Sequence, residues 1–448
     1  MNVIDVHGDN NTPEVRHTEQ STMAKVMRRI IPFLILCYFV SYLDRINVGM
    51  AAIAMNKSIG LSPIAYGAGA SIYFLGYFLF EVPSNLMMQK LGARVWIARI
   101  MISWGLVSGA TAFVIGPHSF LVVRFLLGAA EAGFFPGLVL YLSWWFPAAY
   151  RARITGMFMA AMPIAGIIGT PLSGLLLGLN GGLGLQGWQW LFIIEAAPAV
   201  MLGFVVLRYL TDRPKDAAWL PPPEREWLGA RMEDERRAGE KKDFLSIGRA
   251  FAKPQIWALS AICFGANIAN YGLTLWLPQI VKAFGVSNLE TGFIAAIPSI
   301  FASASMILWT RSADRTGKRV GHIVVAAFCA AAGLAVCVVL HNPVVTMAAL
   351  CFASVGIYAL IATFWGWAPT LLAGPGAAPG LAIINSVGAL SGYVGPLIVG
   401  WIKQSTGDFS LGLLALAMGP LLSACVASAV FRTAEGSKRL VFGKNDAI

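Results

Sequence analysis

The chain is poor in charge. Asp, Glu, Lys and Arg together make up 12% of its 448 residues, about half the usual share, which excludes an ordinary soluble domain. Histidine is also scarce, with five in the chain. His7 and His17 lie in a polar leading segment, and His118, His322 and His341 lie near the ends of apolar runs. There is no HExxH pair and no Walker loop, so the sequence carries no motif for zinc-protease chemistry or nucleotide hydrolysis. The six cysteines (Cys37, Cys263, Cys329, Cys337, Cys351, Cys425) fall singly inside apolar runs and form no CxxC. They read as small core residues rather than disulfides or metal ligands. No cleavable signal peptide is expected: residues 1–24 are polar, and the first apolar run is too long for one.

Long apolar runs fill the chain, 57% of which is hydrophobic. A span needs about 20 apolar residues. Twelve such runs occur, roughly at 27–55, 65–89, 95–116, 119–146, 153–178, 187–210, 255–283, 289–311, 320–340, 343–372, 376–404 and 408–432. The expectation is an all-α membrane protein of twelve spans in two six-helix bundles, at 25–210 and 254–434. Residues 1–24 are expected as a disordered tail, 211–253 as a solvated linker opened by Pro221, Pro222 and Pro223, and 435–448 as a second tail. The formal net charge is +11. Its basic residues collect in alternate connections: Lys25, Arg28 and Arg29; Lys90, Arg94 and Arg99; Arg151 and Arg153; Arg311, Arg315, Lys318 and Arg319. That alternation is the positive-inside pattern. It puts both termini in the cytoplasm and accounts for the charge without nucleic acid. A monomer is expected.

The halves repeat. The turn at Gly92 recurs as Asp314-Arg315-Thr316-Gly317-Lys318-Arg319, 225 residues later. Gly166, Gly169 and Pro171 in span five recur as Gly392, Gly395 and Pro396 in span eleven, with an offset of about 226. Parallel repeats with a binding site between them are a transporter plan. Asp314, Arg315, Gly317 and Arg319 are the candidate gating loop. Small residues in spans five and eleven allow close helix approach.

Ionisable residues inside the spans carry the functional signal. Asp44 and Arg45 lie in span one, and Arg124 and Glu131 in span four. A charge at the bilayer centre costs at least ~2.5–3.5 kcal/mol and usually faces a bundle interior. Arg124 and Glu131, seven apart, share a helix face. At ~1.5 Å per residue the four groups can meet in the outer half and middle of the first bundle. Burial opposes carboxylate ionisation and a neighbouring arginine favours it, so the balance permits proton exchange. Asp44, Glu131 and Arg124 are therefore the proton-coupling candidates, and Arg45, with its planar fork of donors, the carboxylate anchor. The positions equivalent to Asp44, Arg124 and Glu131 in the second half are Asn270, Leu350 and Ile357, so that half offers neutral contacts. Candidates there are Asn270, Tyr271, Trp365 and Asn385, facing Tyr42 and Tyr77 of the first half. Glu81 and Glu195 are secondary cases.

Several segments carry a family resemblance. They are Tyr42-Leu43-Asp44-Arg45-Ile46-Asn47-Val48-Gly49, the stretch from Gly76 through Glu81, Pro83 and Asn85, and the run from Arg124 through Gly128, Glu131, Gly133 and Pro136 to Gly137. Trp188 to Glu195 and Tyr271 to Pro278 also match. Over about residues 25–435 the chain resembles the major facilitator superfamily. Within it, the chain is similar to the anion:cation symporters, the branch of bacterial tartrate, phthalate, hydroxyphenylacetate and sugar-acid permeases. The resemblance implies H⁺-coupled uptake of a small organic anion across the bacterial inner membrane by alternating access, with no cofactor, no metal and no enzymatic activity. The superfamily's usual aspartate and glycine in the first loop are replaced by Gln89 and Asn85, which puts a charged latch there in question. Drug/proton antiport and a non-transporting membrane sensor are the alternatives. Tartrate-like and aromatic acids stay open as substrates.

Overall fold

A computed structural model describes residues 13–159, 161–240, 252–339, 342–372 and 377–442. Among the described residues the fold is entirely helical. Twelve helices are long and apolar enough to cross a membrane: Arg16–Ser58, Pro63–Leu91, Ala93–Phe113, Pro117–Trp145, Ala148–Leu176, Gly187–Tyr209, Pro254–Lys282, Asn288–Thr316, Arg319–Val339, Pro343–Leu371, Gly380–Thr406 and Ser410–Val430. They are numbered below as spans one to twelve. Each overlaps one expected run, because a bilayer core leaves a chain little choice besides uninterrupted helix. Local signals set the ends. Pro63, Pro117, Pro254 and Pro343 each open a span, where proline's missing N–H costs nothing. Ser62 and Ser287 accept from the third residue of their helices.

The repeat is visible in these bounds. Pro63–Leu91 recurs 225 residues later as Asn288–Thr316. The halves meet along three seams: span one on span seven, span two on span eleven, and span five on span eight. The last two are exchanged by the internal repeat. Small residues make the seams close. Gly67 lies against Pro396 and Gly400, and Gly174 against Asn288 and Gly292. Polar contacts cross at the same ends: Tyr66 OH donates to the Leu275 carbonyl at 2.9 Å and Asn56 to Gln279 at 3.3 Å, while within the second half Trp276 Nε1 donates to the Pro396 carbonyl at 3.1 Å.

Three expectations about the tails and linker change. The first helix begins at Pro13, so residues 13–24 are helix rather than tail. They are held there by side chains from elsewhere: Ser21 and Lys25 reach Glu224 at 2.9 and 2.7 Å, and Tyr150 reaches Glu19 at 3.1 Å. Residues 1–12 lie outside the described residues. The linker contains a helix, Pro222–Glu240, tied to the first half by Arg151–Glu235 at 3.1 Å. Trp219, just before it, stacks on Trp145 with ring centroids 5.6 Å apart. Residues 241–251 lie outside the description. The last helix runs on to Phe442, through part of the expected second tail, of which 443–448 lie outside the described residues.

The loop after span two lacks an acid of its own, and one comes from elsewhere. Asp212, at the start of the linker, accepts from the Arg94 backbone N–H at 2.8 Å. A carboxylate at that helix N-terminus is electrostatically favoured. In the repeat, Asp314 fills the corresponding place with a local pair to Arg319 at 3.0 Å, and Arg319 also donates to the Gly366 carbonyl at 2.9 Å. Gly317 closes its helix at φ +67°, and Arg315 is exposed beside it.

Gly292→Val would push its side chain into the Thr170 backbone. Overpacking of this kind costs about 1–3 kcal/mol. A lower melting temperature of the detergent-purified protein is expected, and an unchanged one would show that this seam yields without cost.

Candidate transport site

Tyr73 of span two organises the charged centre. Its hydroxyl donates to Glu131 Oε2 in a short bond. Glu131 Oε1 accepts from Arg45 Nη2 at 2.6 Å and from Ser41 Oγ at 2.8 Å. The Arg45 guanidinium lies 5.5 Å from the Tyr73 ring centroid and 5.6 Å from that of Tyr77. Arg124 lies 5.1 Å from Tyr73. Two cations therefore flank one aromatic ring, an arrangement that offsets part of the cost of burying them.

The two arginines differ in their bonding. Arg45 is locked to Glu131. Arg124 is 1% exposed, and its Nε and Nη1 have no hydrogen-bond partner among the described residues. The sequence reading cast Arg45 as the free anchor and Arg124 as part of the coupling group. Arg45 keeps one unengaged donor of its own, Nε, so the guanidinium expected as the anchor is tied to Glu131 through Nη2, while Arg124 has two nitrogens without a partner among the described residues. The reason is rotational: Ser41, Arg45 and Tyr73 converge on the Glu131 carboxylate, and Arg124, seven residues before it on the same face, is one level farther out.

Asp44 also departs from expectation. Successive helix residues point about 100° apart, so Asp44 turns away from Arg45 and into the first bundle. There it accepts from Ser108 of span three in a short bond and from Asn47 at 3.3 Å. Arg124 acts on it electrostatically.

Two adjoining hollows open between the halves and share Tyr42, Ile46 and Thr274. One is lined by Arg45, Arg124, Phe74 and Tyr271. The other is lined by neutral polar groups, among them Asn270, Ser299, Ser354 and Tyr358. Asn270 is 1% exposed, and neither amide atom has a partner among the described residues. Tyr42, Asn270 and Tyr271 line the hollows. Tyr77, Trp365 and Asn385 do not line these hollows. Tyr77 lies under Arg45, and Trp365 packs edge-on against Phe364 with centroids 5.5 Å apart. Asn385 donates to Glu81 Oε1 at 3.0 Å and Ser386 donates to Oε2 at 3.4 Å, so these residues bridge spans eleven and two.

Span four is broken directly after Glu131. Its helix stops there and restarts at Phe134, across Gly133 at φ +81°. Pro136 favours this, since in a continuous helix its ring would crowd the Ala132 carbonyl, four residues back. Gly133 supplies the left-handed turn and leaves space for Ser84. Arg99 of span three, with its guanidinium 4.0 Å from the Trp96 ring centroid, donates to the Ala130 carbonyl at 3.5 Å. It was counted among the loop charges by sequence. Tyr73, Ser108, Tyr358 and Arg99 were missed; the spacing of Tyr66, Tyr73 and Tyr77 at seven and four was the one available signal, since it puts three hydroxyls on one helix face.

A two-fold helical bundle with a hollow lined by charged side chains at the seam defines the class as a membrane transporter. The major facilitator superfamily model matches residues 34–396, and the chain belongs to that family. It is 50% identical over 416 residues, 93% of this chain and 96% of the other, to a protein of Agrobacterium vitis named "Putative tartrate transporter". It is 38% identical to the quinolone resistance transporter of Acinetobacter baumannii, covering 94% of this chain and 97% of that one. The solved structure of a bacterial homologue of the human lysosomal transporter Spinster, inward-facing and occupied, shares the fold. Its TM-score is 0.72 at 17% identity, and the match covers 90% of this chain and 96% of the other.

Tyr73→Phe removes one of three donors to a buried carboxylate. Leaving such a group short of a partner costs about 1–3 kcal/mol. The variant should melt at a lower temperature than wild type, and Tyr73→Phe combined with Glu131→Gln should recover part of the loss.

Proposed function

We propose that the protein is a proton-coupled symporter that takes up a small hydroxylated organic anion, with tartrate the leading candidate, by alternating access across the bacterial inner membrane. The observation that carries this reading is Arg124: a buried guanidinium with two unengaged donors at the wall of a hollow between the halves. A carboxylate matches that fork of donors. In this reading protonation of Glu131 releases Arg45 from its 2.6 Å pair, so a second guanidinium joins the first on the anion. Asp44 is a further proton acceptor. Asn270 and Tyr271 of the second half, with Tyr42 of the first, receive the substrate's hydroxyls. The neutral wall suits hydroxyl groups, and the tartrate-named relative supports the same class.

Alternating access would proceed by rocking of the halves along the small-residue seams, with Asp314, Arg315, Gly317 and Arg319 as the gating loop and Asn385 on Glu81 as a contact between halves. The basic connections support cytoplasmic termini under the positive-inside rule. The partners proposed are the anion, protons and lipid, in a monomer. Drug efflux is the second reading, favoured by the quinolone-resistance relative; buried arginines at the hollow weigh against cationic cargo.

Proteoliposomes carrying an imposed pH gradient and a panel of organic acids test this. Tartrate or a related hydroxy acid should accumulate when the outside is acidic, and efflux of a quinolone without acid uptake would reverse the assignment. Arg124→Lys keeps the charge and loses the fork, so KM should rise about tenfold or more. An unchanged KM removes Arg124 from the anion site. Asp44→Asn and Glu131→Gln should abolish gradient-driven accumulation while leaving exchange of preloaded substrate; normal accumulation would end their coupling role.

A further inference from the structure

The first bundle carries more buried negative charge than positive. In its interior Asp44, Glu131 and Glu195, each at most 2% exposed, stand against Arg45 and Arg124, while Glu81, 5% exposed, is held at the seam by Asn385 and Ser386. Glu131 is neutralised by Arg45. Glu131 and Arg124 both act electrostatically on Asp44, and Asp44 acts on Glu195. One negative charge is left over, deep in a low-dielectric bundle where an uncompensated carboxylate is costly.

Its place is on the back of span one, away from the hollows. Ser173 of span five donates to Glu195 Oε1 of span six at 2.7 Å. Ser108 of span three and Asn47 of span one both donate to Asp44 Oδ1. Asn47, fully buried, bonds Asp44 and interacts with Glu195, and spans one and six pack together. Each acid therefore has one satisfied oxygen and one unsatisfied. Asp44 Oδ2, Glu195 Oε2 and Asn47 Oδ1 have no donor among the described residues. Buried acceptors normally find partners. Three in one cluster, drawn from carboxylates and an amide, form an oxygen-rich set of the kind hard cations take.

We propose that Asp44, Asn47 and Glu195 form a binding site for one monovalent cation, separate from the Arg45–Glu131 pair. The residual charge of minus one selects a single positive charge over a divalent ion, and a proton shared by the two acids or a sodium ion would each meet it. Asp44 is then one member of a two-acid site, with Glu195 the group that completes it. The inference rests on the symport reading for its use in transport, but binding is independent of substrate and is tested without it.

The full-length protein, purified without substrate, is melted in sodium chloride and in choline chloride at equal ionic strength, and its infrared spectrum is followed through a pH titration. A sodium-specific rise in melting temperature that is lost in Glu195→Gln identifies sodium. A protonated-carboxyl band near neutral pH, lost in Glu195→Gln and kept in Glu131→Gln, identifies a proton. Ser173→Ala, which removes a donor and keeps both acids, should move the sodium or proton midpoint by about fivefold, and it carries the test should Glu195→Gln not fold. Wild-type protein showing neither a sodium-specific rise nor such a band, or showing a response unmoved by these variants, overturns the site. Failure of acid uptake with this binding intact would instead count against the symport reading.

Discussion

The Arg45–Glu131 pair is the constraint around which the first bundle is built. Two opposite charges in an apolar bundle are poor stabilisers compared with well-packed apolar groups, and removing one partner strands the other. Holding the pair requires donors for the remaining lone pairs of Glu131, which Ser41 and Tyr73 provide. Tyr73 arrives there because spans two and four touch at Gly76 and Gly128, where any side chain would meet the opposing backbone. Packing, aromatic placement and charge are thus one arrangement: enlarging a glycine at that crossing would displace the hydroxyl that satisfies the acid.

The repeat makes two bundles of the same shape and gives them different chemistry. Asp44 has Asn270 as its counterpart, and the counterparts of Arg124 and Glu131 are Leu350 and Ile357. The first half therefore bears the charge and the second presents hydroxyls and amides across the seam. The shared geometry survives because it is set by helix length, proline starts and small residues, none of which depends on the ionisable positions.

Much of the fold was legible in the sequence. Twelve spans follow from apolar runs, and the two-fold plan from glycines repeating at a fixed offset, because the bilayer turns composition directly into helix. The charged residues of the site were legible for the same reason: Asp44, Arg45, Arg124 and Glu131 are conspicuous against an apolar background. Which cation pairs with which acid was not. That depends on the rotation of span one against spans two and four, and a rotation of one residue exchanges the partners of Asp44 and Arg45. The break after Glu131 was written in Gly133 and Pro136, yet an apolar run reads straight through it. Helix over residues 13–24 escaped a hydropathy reading because that segment is polar and is held by side chains from distant parts of the chain, whereas the linker's mixed-sign run did allow a surface helix.

The linker's first half has a consequence of its own. Asp212 is stitched to the loop after span two, Trp219 lies flat on Trp145, and the helix from Pro222 is clamped by Lys25 and Arg151. This stretch is upholstery fixed to one bundle. A reporter domain or protease tag spliced in between Thr211 and Glu240 would pry at the frame it is nailed to, so the chain's apparent spacer is a poor place to cut.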